Sequence, residues 1–136
     1  MSNIEQTLSI IKPDAVERNL EGEIKEMFKK NSFQILKEKK IQIEKAEAEK
    51  FYKVHETKPF YNDLCEYLSS GPIVVMILQK ENAVKGNREL MGATNPKDAV
   101  DGTIRKKYGI SIDKNSVHGS DSVENAKIEI KFFFKG

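Results

Sequence analysis

Six consecutive apolar residues, Ile73-Val74-Val75-Met76-Ile77-Leu78, follow directly on the turn signal Ser69-Ser70-Gly71-Pro72. A short apolar run so bounded reads as a central strand. It is far below the roughly 20 residues that a membrane-spanning helix needs, so it has to be covered by other parts of the chain. The flanking sequence supplies the cover. Thr7 to Lys12 alternates as a strand, with Leu8, Ile10 and Lys12 on one side, and Pro13 ends it by removing a backbone donor. Gly22 to Lys30 carries Ile24, Met27 and Phe28 at helical spacing, and Phe33 to Ile43 reads as a second strand. Lys45 to Val54, with Ala48, Phe51 and Tyr52 inward, and Phe60 to Leu68 form two helices separated by the Lys58-Pro59 break. Glu81 to Met91 is a further helix closed by Gly92. Asp121-Ser122-Val123-Glu124 resembles a capping box opening a last helix, striped by Val123, Ala126, Ile130, Phe133 and Phe134. Strands alternating with helices imply an α/β or α+β sandwich, helices packed on a sheet. At 136 residues one domain is expected.

Between Gly92 and Val117 only Thr103 to Tyr108 looks helical. Irregular stretches this long inside a compact domain are usually functional when they are ordered.

Composition excludes several classes. With 38% hydrophobic and 32% charged residues the chain is that of an ordinary globular protein, neither disordered nor fibrous. Its 23 basic and 21 acidic residues give a net charge of +2, which does not announce nucleic acid as a main partner. Met1-Ser2-Asn3-Ile4-Glu5 lacks the features of a secretory signal, and the single cysteine, Cys65, fits a reducing cytoplasm as a core residue. A cytoplasmic protein is expected, with no membrane partner.

The chain has neither GxxxxGK[ST] nor GxGxxG, so any phosphate has to be held by side chains. Lys12 at a strand end, Arg88 on a helix beside Val84 and Met91, Thr94 just past that helix and Arg105 in the irregular segment are suitable. Taken singly, each is more often a surface residue. Arg88 stands out because an arginine on an apolar face usually meets a carboxylate or phosphate. His118, in Asn115-Ser116-Val117-His118-Gly119-Ser120-Asp121, lies just ahead of the last helix. Gly119 permits close backbone approach there, and a helix start favours anions. A neutral imidazole can attack phosphorus with one nitrogen while an acceptor, for which Glu129 is the candidate, holds the other. On these residues alone, a loop histidine capping the helix is the simpler reading. His55 reads as a surface residue.

The Asn115 to Asp121 segment reproduces NxxHGSD, the signature of the nucleoside diphosphate kinases, and the chain resembles that family from end to end. Ile11-Lys12-Pro13-Asp14, Lys58-Pro59-Phe60, Ser69-Ser70-Gly71-Pro72, Met91-Gly92-Ala93-Thr94-Asn95-Pro96 and Gly102-Thr103-Ile104-Arg105 resemble its other motifs. The resemblance implies a ferredoxin-like βαββαβ fold with an antiparallel four-stranded sheet and an added helical hairpin, here Lys45 to Leu68. It implies transfer of the γ-phosphate from a nucleoside triphosphate to a diphosphate in two steps through His118, with Mg²⁺ on the nucleotide phosphates. Glu129 and Ser120 would orient the imidazole. Lys12, Arg88, Thr94 and Arg105 would hold phosphates, Lys12 and Asn115 would lie near the ribose and bridging oxygens, Tyr52 would stand close to the phosphates, and Phe60 would stack on the base. A homo-oligomer, tetramer or hexamer, is also implied. Asp101 departs from the proline or small residue that many relatives have nearby, and longer relatives carry a C-terminal extension beyond the equivalent of Gly136.

Overall fold

A computed structural model describes residues 4–53, 56–111 and 114–134. His55 and Val54 lie outside them. Four strands, β1 (Ile4–Ile11), β2 (Gln34–Ile41), β3 (Ile73–Glu81) and β4 (Val117–Gly119), form one antiparallel sheet in the order β2-β3-β1-β4. The helices are α1 (Pro13–Glu17), α2 (Glu21–Lys30), α3 (Lys45–Phe51), α4 (Tyr61–Leu68), α5 (Ala83–Met91), α6 (Ile104–Tyr108) and α7 (Val123–Phe133). This is the ferredoxin-like α+β sandwich, with α3 and α4 as the added hairpin between the second and third strands.

Strand alternation divides the core into two layers. Ile11, Val74, Met76 and Leu78 face one side with Ile24, Phe28 and Met91. Leu8, Ile10, Ile73 and Val75 face the other with Ala48, Tyr52, Leu68 and Phe133. The apolar run at 73–78 is buried throughout, as a strand covered on both faces must be. β2, an edge strand, is mostly exposed and shifts register between Ile35 and Lys37, a bulge that interrupts the edge.

Several local expectations are corrected. β3 continues to Glu81, and Asn82, at φ 54, turns the chain into α5, so that helix starts at Ala83. Pro13 begins a helix rather than merely ending a strand, because its missing N–H costs nothing at a first helical position. The last helix is capped by Ser122, whose side chain accepts from the Asn125 N–H at 3.0 Å, in place of a box built on Asp121. α3 stops at Phe51, with Tyr52 as its C-cap. Pro96–Asp98 adds a 3₁₀ turn in the stretch expected to be irregular.

His118 is the largest correction. It sits on β4, opposite Ile10 of β1, and not in a loop ahead of the helix. Only three residues pair, and of them only Val117 is a strand-forming type.

Candidate active site

Because His118 lies opposite Ile10, its ring emerges on the Leu8 and Ile10 face of the sheet, where α7 and the hairpin pack. Its neighbours Val117 and Gly119 face the other layer. Gly119 suits that passage: a Cβ would meet Asn87 Nδ2 at 2.3 Å and Met91 Cε at 2.8 Å, so those side chains would have to shift. The close approach expected at Gly119 is therefore that of α5 to β4.

The imidazole is fixed on two sides. Glu129, on the face of α7 that also carries Ala126 and Phe133, places Oε1 at 3.0 Å from His118 Nε2. The Ser120 hydroxyl donates to that same oxygen at 2.8 Å, and accepts from the Leu8 N–H at 3.3 Å. A carboxylate held in this way keeps the Nε2 proton in place and leaves Nδ1 with its lone pair. Phe51 packs edge-on at 5.3 Å between ring centroids, and Tyr52 at 6.4 Å. Tyr52 is buried, and burial first, then the charge of Glu129, pushes its phenol well above the usual range. Tyr52 is therefore a neutral wall of the site. Helical spacing marked Phe51 as inward, but nothing in the sequence tied it to the histidine.

Two cationic residues hold the backbone that leads into this histidine. The Lys12 ammonium donates to Asn115 Oδ1 at 3.0 Å, and Asn115 Nδ2 donates to the Thr94 carbonyl at 3.1 Å. Arg105 is 8% exposed, and its guanidinium donates to the Gly92 carbonyl at 3.0 Å and to the Val117 carbonyl, one residue before the histidine, at 2.9 Å. Burial, and then the nearby charge of Arg88, pulls the Arg105 pKa down to about 10. Arg105 stays charged at neutral pH, and this buried guanidinium beside the exposed Arg88 favours an anion between them. Arg88, Thr94 and Arg105 line a cavity of about 880 Å³ that also touches Gly92 and Ser122. Lys12, Tyr52, Asn115 and His118 do not line it, and neither does Phe60. That ring stands just before α4, on the hairpin, and is 46% exposed.

An α+β sandwich that offers an oriented imidazole on a strand flanked by two buried cations, Lys12 and Arg105, has the equipment for phosphoryl transfer. The family profile described as nucleoside diphosphate kinase matches residues 5–136. The chain is 56% identical over 133 residues to the nucleoside diphosphate kinase of Wolinella succinogenes, covering 98% of this chain and 97% of that protein. It is 58% identical over 132 residues to that of Campylobacter jejuni, covering 97% and 96%. The Aquifex aeolicus nucleoside diphosphate kinase, in an orthorhombic crystal form, superposes with a TM-score of 0.96 at 40% identity over 98% of this chain and 96% of that one. The chain belongs to the nucleoside diphosphate kinase family and is a phosphotransferase, an enzyme whose substrates are nucleoside di- and triphosphates.

Proposed function

We propose that the chain carries out this transfer by a ping-pong mechanism in which His118 Nδ1 attacks the γ-phosphorus of a nucleoside triphosphate. The new N–P bond replaces the bond from phosphorus to the bridging oxygen, the nucleoside diphosphate leaves, and a second diphosphate takes the phosphoryl group back from nitrogen. The observation that carries this reading is the Glu129–His118 contact at 3.0 Å, braced by Ser120, which commits Nε2 and leaves Nδ1 as the nucleophile. Lys12, Arg88 and Arg105 would stabilise charge on the transferring and bridging oxygens. Thr94, Asn115 and Tyr52 would shape the phosphate and ribose end. Arg105 Nε is buried and has no hydrogen-bond partner among the described residues, a donor suited to an arriving acceptor. Phe60 would stack on the base.

Magnesium would arrive on the nucleotide phosphates, whose charge Lys12, Arg88 and Arg105 would share with it. Bound to the nucleotide, Mg²⁺ would neutralise part of the phosphate charge. We read the chain as one domain acting in the cytoplasm to maintain nucleoside triphosphate pools. No helix of the described residues is long and apolar enough to cross a membrane. A tetramer or hexamer is the expected assembly, to be read by light scattering.

Labelled ATP with Mg²⁺ tests the mechanism. The protein should trap label in a bond that acid breaks and base spares, and added diphosphate should discharge it. His118→Ala should abolish labelling, while His55→Ala, the only other histidine substitution available, should not change it. Label retained in His118→Ala, or intersecting rather than parallel double-reciprocal plots, would rule out the phosphohistidine route.

A further inference from the structure

Ser116, the residue where the chain enters β4, has a φ of +73°, and the Val117 N–H donates to the Asn115 carbonyl across it at 2.9 Å. A hydrogen bond over a single residue with positive φ is the rare, strained form of γ-turn. A non-glycine residue keeps such a conformation only when its surroundings over-determine it. At the centre of the surroundings here is one carboxylate, with the Arg18 Nη2 that it holds also donating to the Ser116 hydroxyl oxygen at 3.2 Å. Asp14, 5% exposed on α1, accepts from the Ser116 hydroxyl at 2.8 Å and from Arg18 Nη2 at 3.0 Å through Oδ2, and from the Tyr67 hydroxyl through Oδ1. The Ser116 hydroxyl also lies 3.1 Å from the Tyr108 carbonyl, but it has one proton, and the charged acceptor at the shorter distance takes it.

What hangs on this turn is the nucleotide site. Ser116 accepts the Lys12 N–H through its carbonyl at 2.8 Å, and the preceding Asn115 holds the Lys12 ammonium. Two residues further along comes His118. Lys12 itself adjoins the helix that carries Asp14, so one buried carboxylate ties both strands of the corner together.

We propose that Asp14 is a positioning residue for the phosphoryl-transfer site: through the Ser116 hydroxyl it holds the strained turn that sets Lys12 against Asn115 and delivers β4 in register. The proposal rests on the reading of Lys12, Asn115 and His118 given above. Asp14 touches no substrate in it. Removing the carboxylate should let Ser116 relax toward negative φ, moving Asn115 and Lys12 by a fraction of an ångström or more, a scale of misplacement that costs up to about 100-fold in rate.

A double-mutant cycle in the full-length chain tests this. Asp14→Asn and Ser116→Ala should each lower kcat/KM by roughly 10- to 100-fold, with KM for the nucleotide raised, at a temperature well below each variant's unfolding midpoint. Ser116→Gly, which accepts positive φ without steric cost, should lose much less than Ser116→Ala. Asp14→Asn should add little loss in the Ser116→Ala background. A folded Asp14→Asn with wild-type kinetics would overturn the proposal. So would losses that simply add, or Ser116→Gly no better than Ser116→Ala. Should Asp14→Asn fail to fold, Tyr67→Phe replaces it in the cycle, with a loss that should again shrink in the Ser116→Ala background and a wild-type result again overturning the role. Failure of the wild type to form a phosphohistidine would overturn the site reading as well, and the labelling assay distinguishes the two.

Discussion

His118 and Phe60 are two rings assigned to opposite ends of one substrate, and they are built in opposite ways. His118 is about one-fifth exposed, paired through its backbone to β1, hydrogen-bonded to Glu129 and packed against Phe51. Phe60 is nearly half exposed, at the start of a helix on a hairpin that lies outside the sheet. The phosphate end is pre-organised before substrate arrives, as electrostatic catalysis requires. The base end offers an open face, and every nucleobase has a face to lay on it. On the proposed roles, chemistry and recognition are separated along the molecule, so that changes at one end should leave the other largely intact.

That separation can be broken most sharply at the cationic end. Arg105→Ala or Arg88→Ala should lower kcat/KM by roughly two or more orders of magnitude, because in the proposed mechanism these charges would meet oxygens that gain charge in the transition state. Steady-state assays that show wild-type kinetics in both would remove the arginines from the site. Changing the base should do less. ADP, GDP, CDP and UDP should all accept phosphate with kcat/KM inside about two orders of magnitude, in competition assays with one donor. A chain that accepts a single base would mean that a polar side chain reads the base edge, contrary to the open platform at Phe60. The smallest effect should come from the platform itself. Phe60→Ala should raise KM about tenfold, the lower part of the range for losing one stacked base, with kcat nearly unchanged. A collapse of kcat in that variant would show that the two ends are coupled after all.

Sequence periodicity marked β1, β2 and β3, the hairpin helices and the last helix, because each buries a regular apolar face. It missed β4 for a physical reason. Three residues are too few for a period, and two of them, His118 and Gly119, are selected by chemistry and by the close passage of α5 rather than by strand propensity. It missed α1 because a proline carries two meanings, strand terminator and helix starter. In the site, residue type made Lys12, Arg88, Thr94, Arg105 and His118 candidates, and the motif resemblance added Ser120, Tyr52, Phe60 and Asn115. Convergence was not legible. Asp14 meets Tyr67 and Ser116 across 53 and 102 positions, and no spacing rule operates over such distances. Only the fold brings a carboxylate on α1 under the turn that leads to His118.

The sheet order also governs when in its history the molecule can work. β1 lies between β3 and β4, and its pairing with β4 joins Leu8 to Ser120 across 112 positions. Glu129 lies further on still. Closing so large a loop is entropically slow, and it returns nothing until the last element arrives. On a ribosome, the growing chain can bury the 73–78 run against β1 long before Glu129 has emerged, so secondary structure and much of the core precede any competent imidazole. In refolding, regain of phosphoryl transfer should therefore trail regain of helical signal. Activity should thus be a late reporter of folding, set by the pairing of β1 with β4.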